Sequence, residues 1–131
     1  MFEACGTPAY VAPEVLKKKG YGKEVDVWST GIILYTMLAR ALPFHSADKK
    51  RTFRLIKEAE ADLTVEGFQE VSEDCKDLIR KMLDKDPDTR ITVEQALEHP
   101  AIMKYKNYFE AIKRRYHPVI DQQSGMLIKN P

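Results

Sequence analysis

The stretch Gly6-Thr7-Pro8-Ala9-Tyr10-Val11-Ala12-Pro13-Glu14, followed about a dozen residues later by Asp26-Val27-Trp28-Ser29-Thr30-Gly31, decides how the chain is read. Residues 1–14 carry neither helical nor alternating periodicity, and Gly6, Pro8 and Pro13 interrupt them repeatedly, so they read as an extended loop. The second string opens a different kind of segment. Val25, Val27, Trp28, Ile32, Ile33, Leu34, Tyr35, Met37 and Leu38 fall on nearly every face of a helix over residues 25–39. A helix apolar all round is expected to be buried on most sides, as the central axis of a larger body. Pro43 stops its continuation.

Working outward, residues 17–23 with Gly20 and Gly22 form an exposed loop. Residues 48–60 read as a charged helix with Phe53, Ile56 and Ala59 along one side, and residues 64–71 as loop. Ser72 is placed to cap an amphipathic helix, because Cys75, Leu78, Ile79, Met82 and Leu83 follow i, i+3, i+4, i+7, i+8 spacing. Residues 84–90 turn around Pro87. Thr92 and Gln95 make a capping-box pattern opening a short helix that His99-Pro100 ends. A last amphipathic helix carries Ile102, Tyr105, Tyr108, Phe109, Ile112 and Tyr116, with Pro118 as its stop and Ser124-Gly125 as a late turn. The expected fold class is mainly α, with long loops and no substantial sheet.

The 131 residues suit one domain or part of a larger one, and 44% hydrophobic content suffices for a core. A net charge of +1 gives no global field that would favour nucleic acid or an acidic membrane. The basic runs at residues 17–19, 49–51 and 113–115 read as solvated faces. Cys5 and Cys75 match no metal or redox spacing, and Cys75 sits on an apolar stripe as a packed thiol. No basic-then-apolar leader opens the chain, and residues 25–39 fall short of the roughly 18 needed to span a bilayer. An intracellular, reducing and cytoplasmic setting is expected, with neither nucleic acid nor membrane as partner.

The first string resembles the end of a protein-kinase activation loop, the substrate-docking loop that closes in A-P-E. The second resembles the D-x-W-S-x-G start of that family's central helix. Leu42-Pro43-Phe44 is similar to the loop after that helix, and residues 78–90 with Ala96-Leu97-Glu98-His99-Pro100 to its last core helices and their buried arginine. Four strings in order over roughly 95 residues make the resemblance specific to the C-terminal lobe of eukaryotic Ser/Thr protein kinases. The string from Cys5 to Glu14 is most like the calcium/calmodulin-dependent group, including plant and protist calcium-dependent kinases. Phe68 stands where many relatives carry Trp, and Ala41 near a common Gly. Residues 1–100 are expected to be a partial kinase domain and residues 101–131 a tail.

The resemblance implies a role for each matching residue. Glu14 and Arg90 form a buried ion pair pinning the docking loop to the later helices. Gly6, Thr7, Pro8, Ala9 and Tyr10 line the floor under a protein or peptide substrate. Thr7 supports a catalytic aspartate and lysine that lie elsewhere, and with Glu14 implies Ser/Thr acceptors. Asp26 anchors the catalytic loop, or else is a plain acid at a helix N-terminus. Glu3 occupies a place where many relatives carry a phosphorylated Thr and supplies a permanent charge instead, or else is a loop acid without a partner.

Phosphoryl transfer needs a cover for the nucleotide phosphates, a lysine, metal-binding Asp and Asn, and a base. The strings that supply them, G-x-G-x-x-G, V-A-I-K, H-R-D-x-x-x-x-N and D-F-G, do not occur in the sequence. ATP and magnesium are thus expected to belong to a parent kinase, with no cofactor and no catalytic residue in this chain, and with the missing N-terminal lobe as its partner. Met1 is expected to be internal to a longer protein or the start of a truncated one; a true start would favour a non-catalytic kinase relative acting as a binding module. Asp84-x-Asp86-x-Asp88 imitates a calcium loop, but Thr89 and Gln95 replace its Gly and Glu, and His45, His99 and His117 have no metal spacing. The tail helix, with Lys113-Arg114-Arg115, either covers the lobe's base or meets a regulatory domain or calmodulin-like partner.

Overall fold

The computed structural model describes residues 8–20, 22–116, 119–120 and 127–128, leaving aside the side chains of residues 8, 107, 109, 116, 119, 120, 127 and 128. The chain divides into a unit of residues 1–96 and a unit of residues 97–131.

In the first unit a 3-10 turn at Pro8–Tyr10 leads into α1, Pro13–Leu16, which starts on a proline whose missing N–H would have been unpaired there anyway. The long helix α2 is Glu24–Ala39. Arg40 caps it in the left-handed region, at φ 59°, a conformation that glycine adopts at less cost. Helix α3, Lys49–Glu58, begins where the Asp48 carboxylate accepts the Lys50 amide at 3.1 Å. It ends two residues before the expected boundary, and a 3-10 turn at Glu66–Phe68 interrupts the expected loop. Helix α4, Glu73–Met82, starts with the Cys75 amide donating to Ser72 Oγ at 3.1 Å. Helix α5, Val93–Leu97, starts on a reciprocal capping box: Thr92 N donates to Gln95 Oε1 at 2.9 Å, and Gln95 N to Thr92 Oγ1 at 3.1 Å.

The core is built on one side of α2. Trp28 and Ile32 are fully buried and Tyr35 nearly so, together with Phe44, Ile56, Phe68, Ile79 and Leu83. Trp28 stacks on Phe44 at 5.8 Å between centroids, and Tyr35 tilts against Phe68 at 5.0 Å. The Tyr35 hydroxyl donates to the Asp62 carbonyl at 2.6 Å; burial, then the Asp62 charge, pushes its pKa up. Gly31 lets α4 approach closely, since a Cβ there would lie 2.9 Å from Leu83 Cδ2 and from Met82 Cβ. The other side of α2 is open. Asp26, Thr30, Ile33 and Met37 form an exposed stripe at helical spacing, with Ile33 at 50% and Met37 at 72% exposure. The expectation of burial on most sides is thus met on one face only. Periodicity reports how many faces are apolar, and nothing among the described residues covers this one.

The first turn of helix α3 runs against the helix dipole, although Asp48 at its N-cap and Lys57 in its last turn follow it. That turn has no acid and three bases, Lys49, Lys50 and Arg51, where positive charge is unfavourable by about 0.3–1 kcal/mol per residue. Helix α4 follows the opposite and favourable order, with Glu73 and Asp74 first and Arg80 and Lys81 last.

In the second unit α6, Pro100–Tyr116, starts on the proline that the sequence reading took only as the end of the preceding helix; Pro at a first helical position costs nothing. The Ala101 amide donates to His99 Nδ1 at 3.0 Å and completes that start. Ile102, Met103, Tyr105, Tyr108 and Ile112 on α6 are at least one-third exposed. Strands β1, Val119–Ile120, and β2, Leu127–Ile128, pair antiparallel, Val119 opposite Ile128 and Ile120 opposite Leu127. This ladder of two residues a side is the whole of the sheet among the described residues, so the fold is mainly helical. No helix there is long and apolar enough to cross a membrane.

Candidate functional site

Seventy-six positions separate Glu14 from Arg90, yet their side chains meet head to head. Helix α1 supplies the carboxylate from its first turn, buried with Ala12 and Pro13. The turn after α4 supplies the guanidinium. Its residues are held by short-range bonds, Thr89 N and Arg90 N both donating to the Asp86 carbonyl at 3.2 and 2.9 Å. Arg90 Nη1 donates to Glu14 Oε2 at 2.7 Å and Nη2 to Glu14 Oε1 at 2.8 Å, the two-pronged geometry that a planar guanidinium matches best. Arg90 Nη1 also reaches the Glu24 carbonyl at 2.9 Å, and Nε the Asp84 carbonyl at 2.7 Å. The two side chains are 0% and 1% exposed. Burial raises the Glu14 pKa, but its hydrogen bonds to Arg90 and to backbone, then the Arg90 and Lys17 charges, outweigh that and hold it below the usual carboxylate range.

This pair fastens three parts of the chain: the loop that ends in α1, the N-terminus of α2 through Glu24, and the turn after α4. The 3-10 turn at Pro8–Tyr10 precedes α1 directly and packs on α3, with Ala9 fully buried and Tyr10 against the core. An otherwise irregular segment is therefore anchored from both sides. Asp26 lies apart, on the open stripe of α2, where its backbone carbonyl accepts Thr30 Oγ1 at 2.7 Å. Glu3, Gly6 and Thr7 lie outside the described residues, as do Cys5, His117 and the Ser124-Gly125 turn.

The acidic run after α4 is spent on its own turn. Asp84 Oδ1 accepts the Asp86 amide at 3.0 Å, Asp86 Oδ1 the Asp88 amide at 2.9 Å, and Asp84 Oδ2 the Thr89 hydroxyl at 2.8 Å. Cys75 is a free thiol whose pKa burial pushes up, which makes it less reactive than an ordinary cysteine.

Two features escaped the sequence reading. Lys85 reaches inward, where its Nζ donates to the Ile56 carbonyl at 2.7 Å and sits 4.3 Å from the Phe44 centroid and 5.4 Å from that of Trp28. Burial lowers its pKa to about 8, with the Lys17 and Arg90 charges adding to the effect and Glu60 opposing it. The second is the outer face of α3. Lys50, Arg54 and Lys57, spaced i, i+4, i+7, are all exposed, and Arg51 is beside them. Reading residues 49–51 as a run hid a stripe that the helical period would have shown.

Residues 1–102 match the family model described as protein kinase domain. Over 97 residues the chain is 50% identical to calcium-dependent protein kinase 21 of Arabidopsis thaliana, covering 74% of this chain and 18% of that protein. It is 44% identical over 104 residues to serine/threonine-protein kinase DCLK3 of Mus musculus, 78% of this chain and 13% of that one. The phosphorylase b kinase gamma catalytic chain, liver/testis isoform, of Mus musculus is 46% identical over 104 residues, 75% of this chain and 26% of that one. The chain thus spans between about an eighth and a quarter of the length of these relatives, which include Ser/Thr kinases and calcium-dependent protein kinases by name. By the family match across most of its length, this chain belongs to the protein kinase domain family.

Proposed function

We propose that the chain supplies the C-terminal helical part of a Ser/Thr protein kinase, with residues 1–100 as scaffold and substrate platform and residues 101–131 as a tail. The observation that carries this reading is the fully buried two-pronged pair of Glu14 and Arg90. It fixes the segment on which Gly6, Thr7, Pro8 and Tyr10 line the floor for a protein or peptide substrate, with Ala9, fully buried, supporting it from within. Thr7 supports catalytic groups contributed from outside this chain. Asp26 anchors the catalytic loop, and Glu3 supplies the fixed negative charge of the activation segment.

The open stripe of α2 supports the same reading. Ile33 and Met37 expose apolar surface beside Asp26 and Thr30, as a face that takes the remainder of a catalytic domain would. ATP and magnesium then bind in the parent enzyme, within the cell, through motifs this sequence lacks. The isolated chain is inert as a phosphotransferase and tends to self-associate.

Calorimetric titration of Mg-ATP beside a phosphotransfer assay tests this. The isolated chain is expected to show no heat of binding and no transfer to a Ser/Thr peptide. Micromolar Mg-ATP affinity or measurable transfer would overturn it.

A further inference from the structure

We propose that Lys85 is an acylation site, where the amine held on the Phe44 and Trp28 rings takes an acyl group from a small thioester. Among the described residues two lysines are not fully exposed, Lys76 and Lys85. Lys76 pairs with Glu73, whereas no carboxylate among the described residues forms an ion pair with Lys85. Lys85 Nζ instead donates to the Ile56 carbonyl at 2.7 Å and lies 4.3 Å from the Phe44 centroid and 5.4 Å from that of Trp28. The Ile56 carbonyl belongs to the last turn of α3, and no amide beyond the helix end, among the described residues, donates to it. One hydrogen bond and two rings therefore fix where this amine sits. Burial has the largest influence on its charge; Glu60 favours the ammonium, while Lys17 and Arg90 oppose it, and the pKa falls to about 8. At pH 7.5 roughly a quarter of such an amine is neutral and nucleophilic, against about one part in a thousand at the free value of 10.5.

The surroundings select an amide over other lysine adducts. Alkylation keeps the positive charge that burial disfavours. An imine formed with an aldehyde has no N–H, so the Ile56 carbonyl would lose its Lys85 donor. A carbamate formed with carbon dioxide is an anion set against the negative faces of Phe44 and Trp28. An amide is neutral, keeps one N–H for the Ile56 carbonyl and lays an apolar acyl group on the rings. In the step itself the Nζ lone pair attacks the thioester carbonyl carbon. The C–N bond forms, the C–S bond breaks, and the departing thiolate takes up the proton that nitrogen releases. Amine and thioester thus give amide and thiol, with no oxidant or reductant. A thioester acylates a free amine without a catalyst, which suits a site with no carboxylate bonded to the amine. Nothing in this step depends on the kinase role proposed above.

Peptide mass spectrometry of the full chain, incubated at pH 7.5 with S-acetyl-N-acetylcysteamine, tests the site without ATP. Emission of Trp28 verifies that the chain stays folded during the reaction. Initial acetylation of Lys85 is expected to be at least tenfold faster than that of the exposed Lys19 and Lys106. A smaller margin than the gain in neutral amine is expected, because a less basic amine is a weaker nucleophile and a half-buried one is slower to reach. The Lys85 rate should also level off above about pH 8, once the amine is mostly neutral. Unfolding in guanidinium chloride should remove both the preference and the plateau, since both come from groups that folding brings together. Equal or slower acetylation of Lys85 in the folded chain overturns the proposal. So does a preference that survives unfolding, or a folded-state rate that still rises tenfold per pH unit beyond pH 9.

Discussion

Replacing Arg90 with Met tests what holds the docking segment in place. The substitution keeps much of the side-chain volume over Trp28, whose ring lies 5.1 Å from the guanidinium carbon, but removes four hydrogen bonds. Glu14, 1% exposed, is left with no cation bonded to it and only the Lys17 charge nearby, and the Asp84 and Glu24 carbonyls lose their Arg90 donor. An uncompensated buried charge costs about 3–5 kcal/mol, a large share of the roughly 5–15 kcal/mol that stabilises a domain. At a urea slope of about 2 kcal/mol/M the unfolding midpoint falls by about 2 M. Trp28, the one tryptophan of the sequence and fully buried, reports the transition by its emission. Glu14→Leu alone strands the guanidinium and costs a similar amount. The double variant Glu14→Leu/Arg90→Met removes both charges, so it is expected to lose about 2–4 kcal/mol less than the sum of the single changes. Additivity within about 0.5 kcal/mol would refute the reasoning, because it would mean that neither group depends on the other. Acid gives a second reading. The folded Glu14 pKa lies below its free value of 4.5, so its stabilisation is complete above pH 4.5 and lost as pH falls through the folded value. Wild-type protein should show that acid loss, and the double variant should lack the Glu14 part of it.

Three further outcomes follow from other parts of the structure. Gly31→Ala forces a methyl to within 2.9 Å of both Met82 and Leu83 and should cost about 1–3 kcal/mol in the same urea assay. Lys85, with its folded pKa lowered to about 8 against 10.5 when free, makes stability rise with pH between those values, since the unfolded chain holds the proton there and the folded one does not. Between pH 8 and 9 the midpoint should climb in wild-type protein and stay flat or fall slightly in Lys85→Met, because buried Cys75, with a free value of 9.0, already opposes the rise there. Ile33→Lys/Met37→Lys removes the apolar centre of the open stripe on α2 and should shift the chain toward monomer in analytical ultracentrifugation, with its melting temperature nearly unchanged.

What the sequence revealed depended on the range of the interaction. Caps are local, so Ser72 and the Thr92–Gln95 box, with the helices they begin, were visible as spacing alone. The stripe from Cys75 to Leu83 likewise marked the inner face of α4. No spacing rule joins Glu14 to Arg90 across 76 positions; their pairing was legible only through resemblance to a family. The apolar surround of α2 was legible, but not which half lies open, because the hydrophobic period is blind to which neighbours a chain contains. Lys85 was hidden because lysine reads as surface, and its inward course depends on the Ile56 carbonyl and two rings brought together by folding. The α3 stripe was present in the sequence and was overlooked by reading charges as a run instead of at the helical period.

A chimera measures most directly whether this segment works as a kinase platform. In it, the matching stretch of calcium-dependent protein kinase 21 is replaced by residues 1–102 of this chain, the stretch that matches the family model, and phosphorylation of a Ser/Thr peptide is followed with Mg-ATP saturating. The account predicts that the chimera transfers phosphate and that adding Arg90→Met abolishes it. A folded chimera that binds Mg-ATP with ordinary affinity yet transfers no phosphate would contradict it.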